Sequence, residues 1–88
     1  MLEYHAAYYK EESGWYVVRL IDFPGVLSQG RTLQSARRMI RDALRSMAEW
    51  YMEDGQPFPR PNPRARDKHA DHTETVRLRA RAERGART

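Results

Sequence analysis

From Tyr4 to Lys10 the chain sets Tyr4, Ala6 and Tyr8 on one side and His5, Ala7 and Tyr9 on the other, and both sides are compatible with a strand. A period of two with this aromatic content predicts a β-strand. Glu11-Glu12-Ser13-Gly14 is a polar turn, and Trp15 to Leu20 (WYVVRL) is a second run of aromatic and β-branched residues. Two such runs joined through a short glycine-containing turn predict an antiparallel hairpin. Asp22-Phe23-Pro24-Gly25 marks the next turn, because proline presets φ and glycine accepts the positive φ of a type II turn. Val26-Leu27-Ser28 is long enough for a short third strand, Gly30 interrupts the chain, and Thr32 is a suitable N-cap.

The period then changes. Leu33, Ala36, Met39, Ile40, Ala43, Leu44, Met47, Trp50 and Tyr51 recur at three- and four-residue steps. They predict an amphipathic helix from Leu33 to about Met52, with Arg37, Arg38, Arg41, Asp42, Arg45 and Glu49 on its polar side. Gly55, Pro57 and Pro59 stop it. A Pro/Arg/Asn-rich stretch is read as a mobile linker. Alternation returns from Thr73 to Ala80, with Thr73, Thr75, Arg77 and Arg79 facing one way and Glu74, Val76, Leu78 and Ala80 the other. The expected architecture is α+β in the order β-β-β-α-β, a small antiparallel sheet with one amphipathic helix packed on one face. The expected division is a core over 1–59, a linker over 60–72, a closing strand over 73–80 and a frayed basic tail over 81–88.

Composition adds an asymmetry. The 88 residues carry a net charge of +4. Residues 1–59 hold seven Lys/Arg against eight Asp/Glu, while residues 60–88 hold nine against four. The basic character therefore belongs to the C-terminal third. There is no cysteine to staple so small a core, and small domains without staples commonly gain stability by association. Met1-Leu2-Glu3-Tyr4-His5 lacks the basic region and apolar run of a signal peptide, and no stretch has the ~18 apolar residues of a membrane span. The expectation is a cytoplasmic protein that does not enter membranes.

Read together and in order, several motifs resemble the HicB-like antitoxin family. They are the Tyr-rich first strand, the Gly-centred turn, Asp22-Phe23-Pro24-Gly25, Gly30-Arg31-Thr32-Leu33 and the closing Gly55-Gln56-Pro57-Phe58-Pro59. The resemblance spans roughly residues 4–59. It implies a fold similar to a truncated ribonuclease H and a non-catalytic antitoxin that binds a small HicA-type ribonuclease toxin and covers its catalytic histidine. Within that resemblance Asp22, Pro24, Gly25, Gly30 and Thr32 are turn and cap residues. Two departures stand out. The position three after Thr32 often carries Glu in the family, whereas Ser35 stands here, so the reciprocal bond of a capping box is expected to be lost. Longer family members append a DNA-binding helix-turn-helix or ribbon-helix-helix unit, and the 29 residues after Pro59 leave no room for one beside a closing strand.

Candidate chemistry is sparse. Two-metal phosphodiester cleavage requires converging carboxylates. Glu11 and Glu12 fall in a turn, Asp42 and Glu49 on the polar side of the helix, and Asp22 opens a turn where aspartate ordinarily accepts a local N–H. His69 and His72 flank Asp71 in the linker without a cysteine or helix to complete a metal site. No catalytic residue, metal site or cofactor is expected. Glu3, Glu11, Glu12, Trp15 and Tyr16 are candidates for the partner-binding surface, since acidic groups suit a cationic partner and an open aromatic sheet face suits a protein interface. A homodimer or higher oligomer is also expected. The alternative is a small nucleic-acid-binding protein using Arg77, Arg79 and Arg81, against which stands a solvated, aggregation-resistant edge strand. A third reading is an orphan homo-oligomer without a toxin.

Overall fold

The computed structural model describes residues 1–79. Four strands, β1 (Leu2–Lys10), β2 (Tyr16–Leu20), β3 (Leu27–Gly30) and β4 (His72–Leu78), form one antiparallel sheet in the order β3-β2-β1-β4. One helix, α1 (Leu33–Glu53), lies between β3 and β4 in sequence and covers one face. The element order and fold class are those the periodicity predicts. Element ends shift by one to two residues. The clearest case is β3, which begins at Leu27 because Val26 turns inward and its carbonyl accepts from Leu20 N–H at 2.9 Å. Ala80 and the tail at 81–88, Arg81 included, lie outside the described residues.

Register places Tyr8 opposite Val18 on one side and His72 on the other. The face beneath α1 therefore carries Tyr4, Ala6 and Tyr8 of β1, Val18 and Leu20 of β2, and Val76 and Leu78 of β4. Helix residues Ala36, Ile40, Leu44 and Ala48 are buried against this face at four-residue steps. Small side chains at Ala6, Ala36 and Ala48 leave room for the tyrosine rings. At the C-terminal end of α1, Phe23 stands 5.0 Å from Tyr4 and 5.1 Å from Tyr51, with Phe58 at 6.4 Å. This aromatic cluster ties the first turn to the chain leaving the helix.

The turns follow their residue chemistry. Val26 N–H donates to Phe23 C=O across Pro24-Gly25, and Gly25 takes φ 94°. The C-terminus of α1 closes with Gln56 N–H on Tyr51 C=O (2.9 Å) and Gly55 N–H on Met52 C=O (3.2 Å), the two bonds of a Schellman motif. The N-terminus corrects one expectation. Thr32 Oγ1 accepts from Ser35 N–H and Ser35 Oγ accepts from Thr32 N–H, both at 3.0 Å, so the capping box is intact with serine in the place of glutamate.

Gly30 is also more than a chain break. It ends β3 directly under the first turn of α1, where a Cβ would lie 2.5 Å from Ala36 N and Ser35 Oγ and 2.9 Å from Ala36 Cα. Only a missing side chain lets the helix start this close to the sheet. Gly30→Ala is expected to lower the unfolding free energy by about 1–3 kcal/mol, the usual cost of overpacking, read as a reduced midpoint in urea denaturation.

Candidate functional site

The face of the sheet away from α1 carries His5, Ala7 and Tyr9 of β1 and Thr73 and Thr75 of β4, in register. It is not left open. The segment predicted as a mobile linker instead crosses this face as a strap, held by hydrogen bonds at several points along its length. Tyr4 Oη donates to Pro59 C=O at 2.7 Å, and Asn62 N–H donates to Asp22 Oδ2 at 2.9 Å. Tyr9 Oη and Arg19 Nη2 both donate to Asp67 Oδ2, the second at 3.1 Å. Asp71 N–H donates to Tyr8 C=O at 2.8 Å, and Asp71 Oδ2 accepts from Lys10 N–H at 2.7 Å. As a result Ala7 is fully buried on this second face, and Ala65 of the strap is buried too. The expectation of an open aromatic sheet face is thus corrected for the β1 side of the sheet.

Asp22 anchors the strap. Its carboxylate is almost completely buried and accepts from His5 N–H (2.8 Å), from His5 Nδ1 (2.7 Å) and from Asn62 N–H (2.9 Å). These are partners far along the chain, not the local turn N–H that a turn-opening aspartate ordinarily takes. Three donors converging on one buried carboxylate give a stable structural clasp. His5 then borders a cleft of about 590 Å³ between strap and sheet, with Ile21, Ala65, Thr73 and Thr75. His72 is likewise not a linker residue. It opens β4, contacts the Tyr8 ring at 5.4 Å and lies 3.0 Å from Glu74 through Nε2.

A second polar network joins α1 to β4. Glu74 Oε2 accepts from Tyr8 Oη (2.8 Å) and Arg37 Nε (2.7 Å). Burial acts to raise the Glu74 pKa, but the hydrogen bonds from Arg37, His72 and Tyr8 outweigh it and hold the carboxyl at about 2. The hydrogen bonds of Tyr9, His69 N–H and Arg19 hold Asp67 at about 2 as well. Burial, with Asp22 nearby, pushes the Tyr4 hydroxyl up to about 12.

The other sequence-derived candidates are scattered. Asp22, Pro24 and Gly25 share the turn beside the C-terminal half of α1, whereas Gly30 and Thr32 sit at its start. Glu11 and Glu12 lie exposed beyond the end of β1. Glu3 is eight residues before Glu11, about 26 Å away at ~3.3 Å per residue, and is paired with Arg77 at 2.9 Å. Those three acidic groups are therefore not one surface. Tyr16 packs toward the core, and Trp15 is partly exposed with the Arg31 guanidinium 5.6 Å from its ring centroid. Among the described residues no group of three or more His, Asp or Glu is placed to hold a metal ion. No helix among them is long and apolar enough to cross a membrane.

A four-stranded antiparallel sheet with one covering helix and a strapped second face defines a compact α+β module. Comparison with known proteins then identifies it. Residues 3–78 match the model of the HicB_like antitoxin of bacterial toxin-antitoxin systems, and the chain belongs to that family. It is 41% identical over 56 residues to Antitoxin HicB 1 of Photorhabdus laumondii and 38% identical over 50 residues to Antitoxin HicB of Escherichia coli K12. These alignments cover 64% and 57% of this chain but only 36% of each antitoxin's length. It is also 32% identical to UPF0150 protein Ta0767 of Thermoplasma acidophilum over 78% of this chain and all of that protein. The crystal structure of the N-terminal domain of Burkholderia pseudomallei antitoxin HicB superposes with a TM-score of 0.74 at 26% identity, covering 88% of this chain and 98% of that domain. A HicA3 and HicB3 toxin-antitoxin complex shares the fold with a TM-score of 0.59 at 24% identity, over 77% of this chain and 74% of the matched chain.

Removing the clasp should release the strap. Asp22→Ala leaves two backbone N–H groups and an imidazole without their acceptor, and is expected to cost about 3 kcal/mol. Trypsin cleavage after Arg64 and Arg66, followed by mass spectrometry, is expected to accelerate about tenfold or more as the local opening free energy falls. Acid should act on the other two carboxylates. Both have pKa values lowered by folding, so their contribution is fully present above the unfolded values near 4 and is lost as pH falls towards 2. Urea midpoints measured from pH 7 to pH 2 should therefore drop below about pH 4.5, and Glu74→Gln should shrink that drop while costing about 2 kcal/mol at pH 7.

Proposed function

We propose that this protein is an antitoxin that binds a HicA-type ribonuclease toxin and covers its active centre, with no chemistry of its own. The observation that carries this reading is the family match over residues 3–78, joined to a fold that coincides with nearly the whole N-terminal domain of a HicB antitoxin. The partner class is supported by the family's description as an antitoxin of bacterial toxin-antitoxin systems and by a HicA3 and HicB3 toxin-antitoxin complex that contains this fold. The site chemistry is in keeping with a masking role. The buried Asp22 is committed to the strap, and Glu74 and Asp67 are saturated with donors inside structural networks. Such groups hold a surface in shape; they do not present a free base or nucleophile to a substrate.

Co-expression of the tagged chain with a HicA-type toxin from its own host tests the reading. The expected result is a stoichiometric complex in size-exclusion chromatography and at least a tenfold loss of RNA cleavage when the chain is added at equimolar ratio. Unchanged RNA cleavage at tenfold molar excess of the chain would overturn it.

A further inference from the structure

The two flanks of α1 differ in chemistry. Towards β4 the helix presents Arg37 and Arg41, the first bound to Glu74 and the second close enough to Tyr8 to influence its titration. Towards β3 it presents Met39, Ala43, Ser46 and Trp50, spaced so that they share one side. Trp50 is 71% exposed, Met39 45%, and Leu27 at the start of β3 62%. Ala43, Ser46, Met47 and Trp50 join Gly25, Val26 and Leu27 around an open groove of about 390 Å³ between helix and edge strand. Three of the five exposed large apolar side chains among the described residues thus lie on this one flank. Its rim is acidic. Glu49 and Glu53 follow this border of the helix without an ion-pair partner among the described residues, Asp54 caps its end, and Asp42 beside them is paired with Arg45 at 3.2 Å.

We infer that this groove is where the toxin docks, through a surface that sets lysine or arginine around one apolar anchor. The inference rests on the proposed antitoxin function. A protein that cleaves RNA must present a cationic surface to the phosphates. An acidic rim around an apolar floor is complementary to such a surface and would occupy it. A second copy of this chain fits less well. A two-fold contact sets each groove against its own image and so brings acidic rim against acidic rim. Residues 80–88 offer the right charge but only alanines as apolar side chains, so they supply no anchor for the space between Leu27 and Trp50. The outer edge of β3, unpaired among the described residues, lies alongside, placed to extend the contact by main-chain pairing.

Four variants of the full chain, Trp50→Ala, Leu27→Asp, the double charge reversal Glu49→Lys/Glu53→Lys and the control Gln34→Ala, separate the possibilities. Their positions are exposed, so circular dichroism and melting curves should match the parent chain. Calorimetric titration with the HicA-type toxin is expected to show at least a tenfold loss of affinity for the first three and no loss for the control. Affinity of the parent chain should fall with added salt, and the charge-reversed variant should lose that dependence. If the parent chain binds toxin and the groove variants bind equally well, the groove assignment is overturned while the antitoxin reading stands. If the parent chain binds no toxin, both fall. If Trp50→Ala abolishes only self-association and leaves toxin affinity intact, the groove is a contact between copies and the assignment is wrong.

Discussion

The carboxylate of Asp22 binds parts of the chain 17 and 40 residues away from it, and the layered structure depends on that clasp. On its own, a four-stranded sheet with one helix has a covered face and a bare one. Here the bare face is given a second cover by a strap that contains no helix or strand and almost no large apolar residues. Such a segment cannot hold itself down by burying apolar area. It is held by hydrogen bonds to charged acceptors, at Asp22, Asp67 and Asp71, each of which receives donors from both strap and sheet or spans the two. Charged acceptors make the stronger hydrogen bonds, and enclosure strengthens them further.

The same residues explain how β4 reaches the sheet. β4 must travel from the C-terminal end of α1, across the far face, to the outer side of β1. Tyr4 Oη fixes the start of that path at Pro59 and Tyr8 C=O fixes its end at Asp71. The strap delivers His72 opposite Tyr8, and the register then sets Glu74 where Arg37 of the helix can reach it. A helix-to-strand ion pair in α1 is thus a consequence of a turn residue in a loop preceding it.

Much of this was legible in the sequence, and what was missed has a common cause. Period-two and period-3.6 patterns reveal the apolar side of α1 and β4, so the strands, the helix and the fold class follow from local chemistry, whereas β1, apolar on both sides, does not declare which side meets the helix. Local patterns say little about partners forty residues away. Asp22 reads as a turn aspartate because its neighbours are Pro24 and Gly25, yet its acceptor capacity is spent on His5 and Asn62. The strap reads as a linker because prolines and arginines do not form periodic elements; its aspartates are the only signal, and they resemble ordinary surface charge. Ser35 reads as a departure from glutamate, although a hydroxyl can accept the same N–H when the first turn is tight enough. Glu3, Glu11 and Glu12 read as acidic groups on one side of the hairpin, yet the length of β1 separates the first from the other two.

A module whose sheet is covered on one face by its helix and over much of the other by its strap has little sheet surface left with which to recognise anything. In the cleft beneath the strap His5, Asp67, Asp71 and Glu74 are already engaged in structural hydrogen bonds, and Arg77 on β4 is turned to Glu3. On the proposed function, recognition would fall to the flanks of α1 and the outer edge of β3. There the helix is asymmetric: cationic where it meets β4, and apolar with an acidic border where it meets β3. Asymmetry of this kind is not required by packing, since the buried stripe of Ala36, Ile40, Leu44 and Ala48 would seat the helix whatever stood at its borders. An exposed Trp50 beside Glu49 and Glu53, neither ion-paired among the described residues, adds nothing to the core and invites association. It is the part of the structure that packing of the core does not require.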